Sequence, residues 1–328
     1  MKNLLNLQKP KMMLEADAGG KGQKLFAEIG IFFAIFLIAS TVQSMLSTVP
    51  MMVVMFTSSS FRELIEAASS GGEIDIEGFV NSVMAHPAIM IISLLSTAVT
   101  IAAVILYVVL IEKRKVRTLG LTKRALFSEY FIGLGIGLLM FGAVVLLGVI
   151  FGAFSFVGVS QTLVSALPVI IITFIGFLIQ GASEEILCRG YFCVSVARKS
   201  TIWAAVLANS LVFAFLHIFN PGISPLAIVN LALFGIFASV YMIKRGNLWG
   251  ICAIHSIWNF AQGNIFGLQV SGMEQSSTFF VFTQSEGMGI LNGGSFGPEG
   301  GLCVTIVLVA ATAIMLFTKN KDKGFENE

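Results

Sequence analysis

A chain can cross about 30 Å of hydrocarbon as a helix only with on the order of 20 consecutive apolar residues, at about 1.5 Å per residue. Runs of this kind dominate the sequence. They cover residues 29–55, 88–111, 130–154 and 163–180, the last leading into a Glu-Glu pair, then 202–219 and 226–243. Shorter runs lie at 248–261 and 302–317. Pro50 predicts a bend in the first run. The expected fold class is all-α, a polytopic membrane protein of about eight transmembrane helices. Only 12% of residues are charged, against about 25% in soluble domains, and the mean hydropathy is +0.90. The 29 Phe and 33 Gly fit helices packed in lipid.

The loops provide a test, because positive residues collect on the cytoplasmic side. With the N-terminus inside, the cytoplasmic segments carry Lys2, Lys9, Lys11, Lys21 and Lys24, then Lys113, Arg114, Lys115, Arg117, Lys123 and Arg124. Further along come Arg198, Lys199, Lys244 and Arg245, and finally Lys319, Lys321 and Lys323. Together these are 18 of the 20 Lys and Arg. Arg62 falls outside and Arg189 inside an apolar segment. The outer loops hold Glu63, Glu66, Glu73, Asp75, Glu77, Glu274, Glu286 and Glu299. An even helix count with both termini cytoplasmic satisfies the pattern, and losing one helix would invert every later loop.

The expected organisation is a cytoplasmic tail (1–25), helices 1 and 2 with an outer loop at 57–87 (26–124), a helical core (125–262), an outer loop (263–300), and a last helix with a cytoplasmic tail (301–328). The first run starts too late and is too long for a cleaved signal peptide. Gly19-Gly20 follows two acidic residues and is faintly similar to a double-glycine leader; the reading taken is a plain flexible tail. No repeat of fixed period is present, and no basic patch interleaved with aromatics points to nucleic acid. Cys188, Cys193, Cys252 and Cys303 lie in or beside apolar runs without a CxxC pair. They read as small hydrophobes, not as a disulfide framework or a thiolate zinc site.

Ionisable groups inside a membrane cost on the order of 2.5–3.5 kcal/mol each, so they persist when paired or functional. The stretch 181–192 holds Glu184, Glu185 and Arg189 at the end of an apolar run. Glu185 and Arg189 are four apart and share a helix face. Glu184 points about 100° away, so the two carboxylates can have different tasks. The next helix ends in Phe213-Ala-Phe-Leu-His217. Glu184 precedes the basic turn near Ser200 by 16 residues and His217 follows it by 17. At about 1.5 Å per residue both stand roughly 25 Å above the turn, at one level in antiparallel neighbours. His255-Ser-Ile-Trp-Asn259 places two polar groups on one face of a later helix. Counted from Asn247, His255 stands only about 12 Å up and Asn259 about 18 Å, a depth mismatch with Glu184. A carboxylate and a His can hold a water and take its proton, and two further donors can stabilise an oxyanion. The plainer alternatives stay open. Glu185 and Arg189 can be a structural ion pair, and a single buried His is often a packing residue. His86, before Pro87, reads as an ordinary interfacial residue, and Trp203, Trp249 and Trp258 as belt or core.

In order, spacing and setting these residues resemble the CPBP family, the Abi or type II CAAX-endopeptidase-like proteins, whose motifs run EExxxR, FxxxH and HxxxN. Here they are Glu184-Glu185-Ile-Leu-Cys-Arg189, Phe213-Ala-Phe-Leu-His217 and His255-Ser-Ile-Trp-Asn259. The resemblance covers roughly 125–262 and implies an intramembrane endopeptidase. It implies that Glu184 and His217 activate water, that His255 and Asn259 form the oxyanion site, and that Glu185 and Arg189 support the first motif. No cofactor is expected. Zinc held by Glu184, His217 and His255 is the alternative, and Asn is an uncommon zinc ligand.

The composition and short loops point to a bacterial cytoplasmic membrane, and the expected substrate is a peptide or a membrane protein. Two rival readings use the same residues. One is a catalytically silent immunity or scaffold protein bound to another membrane protein. The other is a proton-coupled transporter with Glu184 and His217 as a relay, against which the lack of inverted repeats and paired broken helices counts.

Overall fold

The computed structural model describes residues 7–19, 22–84, 86–123 and 125–320. Lys2, Lys21, Arg124, Lys321 and Lys323 of the charge pattern, and Gly20 of the glycine pair, lie outside the described residues.

Described in chain order, α1 (Lys11–Ala18) precedes the long α2 (Leu25–Thr57), which runs through Pro50. Two short helices, α3 (Ser59–Ser70) and α4 (Ile76–Met84), fill the loop expected at 57–87. Then α5 (Pro87–Ser96) and α6 (Ala98–Leu106) continue through a π-helical turn to Ile111. After α7 (Leu126–Ile150) comes strand β1 (Phe154–Val159). Helix α8 (Leu163–Glu185) passes through π-helical turns at Ile186–Cys193 into α9 (Val194–Ala197). There follow α10 (Ile202–Leu216), α11 (Pro225–Arg245) and α12 (Trp249–Phe260), the last ending in a π-helical turn at Ala261–Ile265. Strand β2 (Phe280–Gln284), α13 (Gly289–Asn292) and α14 (Leu302–Phe317) complete it.

The ends of these helices follow from local chemistry. His86 accepts from the Ala88 N–H at 3.2 Å and caps α5, with Pro87 in the first turn. Thr201 and Ser224 cap α10 and α11 by accepting from Ala204 and Ala227. Gly246 at φ +68° ends α11 in the left-handed conformation that glycine adopts without strain. Lys244 reaches across to the end of α14, donating to the Leu316 and Thr318 carbonyls at 3.2 and 2.9 Å. These carbonyls have no partner within their own helix, and a cation suits that end of the dipole.

Five helical stretches among the described residues are long and apolar enough to cross a membrane: Leu25–Thr57, Pro87–Ile111, Leu126–Ile150, Leu163–Ala197 and Pro225–Arg245. The protein is a multi-pass membrane protein. Ile202–Leu216 and Leu302–Phe317 are apolar but shorter. The remaining expected span, α12, has 12 residues and is buried from Gly250 to Phe260. With the π-helical turn it runs on to Ile265, 17 residues and about 25 Å, and crosses as an internal helix that starts from a raised floor rather than from the membrane surface.

The reason lies beneath it. The segment after α6 folds inward as a floor at the basic end of the bundle, with Thr118, Leu119 and Thr122 buried. The first amide past Asn247, that of Leu248, donates to the Gly120 carbonyl at 3.0 Å, and the Trp249 indole donates to the Thr122 carbonyl at 2.6 Å. Glu112 ties this floor together, pairing with Arg114 at 2.5 Å and Arg198 at 3.3 Å. Helix α1 seals it from below. Met12, Met13 and Ala16 are fully buried, and Glu15 grips Arg117 at 2.6 and 2.8 Å. The segment expected as a flexible tail is thus a docked helix over Lys11–Ala18. Its periodicity is too short to stand out in the sequence, and it is ordered by tertiary burial rather than by propensity.

At the opposite end, α7 stops at Ile150 rather than near 154, because Phe154 folds back onto Gly148 and opens β1. β1 pairs antiparallel with β2 from the 263–300 segment, with a bulge between Phe156 and Gly158. Among the described residues this sheet has two strands.

Small residues set how closely the central helices approach, as they do where lipid removes any hydrophobic drive between helices. A Cβ on Gly133 would lie 2.2 Å from the Gly250 carbonyl oxygen, and one on Gly137 2.4 Å from the Ile257 side chain. On α8, a Cβ at Gly181 would lie 2.5 Å from the Ser256 hydroxyl. Gly135, between the first two, faces open space. Gly137→Leu should therefore cost at least the 1–3 kcal/mol typical of overpacking, about a few degrees or more in thermal unfolding in detergent, while Gly135→Leu stays within error of the parent. Equal effects of the two would contradict this packing.

Candidate active site

The motif residues of α8 sit where its α-helical hydrogen bonding gives way to wider π turns at Ile186, a local distortion that is frequent at functional sites. Glu185 and Arg189 are both wholly buried, joined from Oε1 to Nη1 at 2.8 Å. The same carboxylate oxygen receives His255 Nδ1 at 2.8 Å. Gly181 brings α8 onto Ser256 of α12, which lets these side chains from different helices meet. The Arg189 guanidinium carbon stands 4.2 Å from the centre of the Phe213 ring and 5.8 Å from that of Phe234. In a water-poor core such a cation–π contact is worth about 2 kcal/mol or more. This gives the first residue of the FxxxH motif a physical task.

Glu184, one residue earlier, faces differently. Its side chain is 29% exposed. Oε1 accepts from the Gln180 side-chain amide. Oε2 lies 3.8 Å from His255 Nε2, beyond hydrogen-bond range, and has no hydrogen-bond partner among the described residues. Asn259 donates from Nδ2 to Gln180 Oε1 at 3.0 Å. His255 therefore lies between the two carboxylates, with Glu185 at Nδ1 and Glu184 beside Nε2. Its ring is covered by Phe234 at 5.0 Å and Phe213 at 6.0 Å between centroids.

His217 ends α10 as its C-cap and is half-buried. Its Nδ1 lies 2.8 Å from the Phe213 carbonyl oxygen. A carbonyl only accepts, so Nδ1 carries the proton, and neutral His217 keeps its lone pair on Nε2. The hairpin register follows from the Arg189–Phe213 contact. Glu184 lies about one turn further from the basic end than Arg189, and His217 about one turn further than Phe213, so the two share a level.

Glu184 and His217, set at one level by the hairpin count, make no hydrogen bond or ion pair with each other. The direct neighbour of Glu184 is His255, through α12. The depth mismatch of His255 also disappears. Leu248 at the start of α12 lies beside Gly190, where a Cβ would be 3.3 Å from its side chain. Gly190 is six residues beyond Glu184, and His255 seven beyond Leu248. Counting from the membrane surface failed because α12 starts on the inward-folded floor. As for zinc, no group of three His, Cys, Asp or Glu side chains among the described residues is arranged to hold a metal ion. Glu184, His217 and His255 do not form such a group.

Sequence reasoning missed Gln180, although its position four residues before Glu184 was visible, and Phe234, which carries no polar signal. It read the region after 262 only as a cover and gave it no part in the site. That region braces the loop carrying His217. Asn220 donates to the Ser271 carbonyl at 3.2 Å, and a Cβ at Gly272 would lie 2.1 Å from the Pro221 carbonyl oxygen. Glu299 holds this brace by accepting from the Ser271 amide and hydroxyl at 2.8 and 2.7 Å.

Comparison with known proteins points to the same stretch. Residues 165–261 match the family model described as type II CAAX prenyl endopeptidase Rce1-like. The match contains all three motifs and ends within the π-helical turn after α12. No curated protein and no solved structure matches the chain significantly.

Because Glu185 and Arg189 are both fully buried, removing one leaves the other as an unpaired charge. Glu185→Leu and Arg189→Met should each destabilise by about 3–5 kcal/mol, and the double variant by much less than their sum. Unfolding in detergent measures all three, and additive losses would show that the pair is not coupled.

Proposed function

We propose that this chain, whose residues 165–261 match the type II CAAX prenyl endopeptidase Rce1-like family model and whose motifs resemble the CPBP family, is an intramembrane endopeptidase of the glutamate type, working without a metal on a peptide or membrane-protein substrate. The observation that carries the proposal is the division of labour between two adjacent carboxylates. Glu185 is buried and committed to Arg189 and His255, whereas Glu184 is partly exposed with one oxygen uncommitted.

In this mechanism a water sits between Glu184 Oε2 and His217 Nε2. It gives up a proton to this pair as its oxygen attacks the scissile carbonyl carbon. The resulting tetrahedral oxyanion accepts from the second Asn259 Nδ2 hydrogen and from His255 Nε2–H. In that role His255 carries both ring protons, giving the other to Glu185. Collapse breaks the C–N bond, and the proton taken from water passes to the leaving amine. Glu185 and Arg189 touch no substrate; they hold His255 and the start of the π turns in place. The apolar cover from Phe213, Phe234 and Trp258 keeps the dielectric low, which strengthens each of these interactions.

The basic end of the bundle is read as cytoplasmic, with both termini inside a bacterial cytoplasmic membrane. The site then lies within the membrane beyond the inner floor. A cysteine at Glu73 should react with an impermeant maleimide on intact cells and one at Lys115 only after permeabilisation; the opposite pattern inverts the topology.

Glu184→Gln should lower kcat by about 10²–10⁴-fold while leaving the unfolding temperature unchanged. Peptidomics of membranes from cells carrying the parent or the Glu184→Gln protein identifies the products. A purified Glu184→Gln protein that still cleaves them would sink the mechanism.

A further inference from the structure

The two halves of the proposed machinery are not independent. We propose that Gln180 is a positioning residue that couples the water-activating carboxylate to the oxyanion donor, a role that rests on the function proposed above. Its side-chain amide spans the gap between Glu184 on α8 and Asn259 on α12. The nitrogen donates to Glu184 Oε1 and the oxygen accepts from Asn259 Nδ2 at 3.0 Å.

The orientation of this amide follows from its neighbours. An ionised carboxylate only accepts, so the NH₂ end of Gln180 must face Glu184 and the carbonyl end must face Asn259. Each bond has a directional consequence. Binding Oε1 leaves Oε2 as the oxygen turned to the reacting water. Binding one Nδ2 hydrogen of Asn259 fixes the plane of its carboxamide and aims the second hydrogen. Asn259 is almost fully buried, and Gln180 is half-buried at its side. A rotated Asn259 amide would present its oxygen to the oxyanion and repel it.

The spacing explains why Gln180 can do this. Positions 180 and 184 are one turn apart on the exposed edge of α8, and Gly181 next to it lets α12 come close enough for one side chain to span both helices. Gln and Asn carry a donor nitrogen and an acceptor oxygen side by side on one uncharged planar amide, and Asn is shorter by one methylene. A Glu at this position would set a second acceptor against Glu184.

The test uses full-length protein in proteoliposomes and, as probe, a library of internally quenched peptides with apolar randomised centres. Gln180→Met keeps length and volume and removes both hydrogen bonds. It should lower kcat about 10–100-fold with KM changed less than about 2-fold and an unchanged unfolding temperature. In the Gln180→Met, Asn259→Ala double variant, the combined loss should fall short of the product of the single losses, because the Asn259 arm of the link can be removed only once. Parent-like kcat for Gln180→Met, or losses that multiply in the double variant, would overturn the inference. Cleavage surviving in Glu184→Gln would instead overturn the underlying mechanism. A readout that needs no turnover accompanies these. The carboxylate-stretch difference between parent and Gln180→Met in the infrared should vanish in a Glu184→Gln background. The same difference in both backgrounds would show that Gln180 does not act on Glu184.

Discussion

One carboxylate oxygen, Oε1 of Glu185, receives both Arg189 and His255 within 2.8 Å in the apolar centre of the bundle. Taking three ionisable groups out of water is costly, and their mutual attraction offsets that cost only if the geometry is kept. This requirement sets much of the surrounding architecture. It brings α12 against α8, it fixes which His255 nitrogen faces Glu184, and it places Arg189 over the Phe213 ring of α10. Three helices distant in sequence are thereby registered against one another by a single charged cluster.

The backbone is built to let this cluster close. Gly181 removes the side chain that would hold α8 away from Ser256, and Gly133 and Gly137 do the same for α7 against α12. The inward-folded floor at 112–123 lifts the start of α12 to the depth where His255 meets Glu184. Beyond Asn259, the 263–300 segment braces the loop after His217 through Asn220, Pro221 and Glu299. It lies past the family match, which ends at residue 261. The motif helices thus depend for their spacing on parts of the chain that carry no motif.

Adjacent residues with opposite fates are the chemical outcome. Glu185 is consumed by structure, and the same burial that makes it stable removes it from solvent. Glu184, about 100° around the helix, faces the edge where Gln180 and Asn259 stand. A site of this kind needs rigidity on one side and an uncommitted oxygen on the other, and two neighbouring helical positions supply both.

The apolar runs were enough to read a multi-pass helical protein, because hydrocarbon tolerates few unpaired backbone groups and helix length follows from its thickness. The motif spacing singled out Glu184, Glu185, Arg189, His217, His255 and Asn259 as candidates, since charged and polar groups in apolar helices stand out against their surroundings. What only the tertiary structure decided is how these residues meet. The 12-residue α12 reads as a span by composition, yet its depth is set by the floor beneath it, which no local pattern announces. Docked α1, the Gln180 bridge and the brace after residue 262 likewise rest on contacts between segments far apart in the chain. Periodicity and composition report each helix against a uniform environment; the choice of Glu184's neighbour, His255 rather than His217, depends on where other helices end.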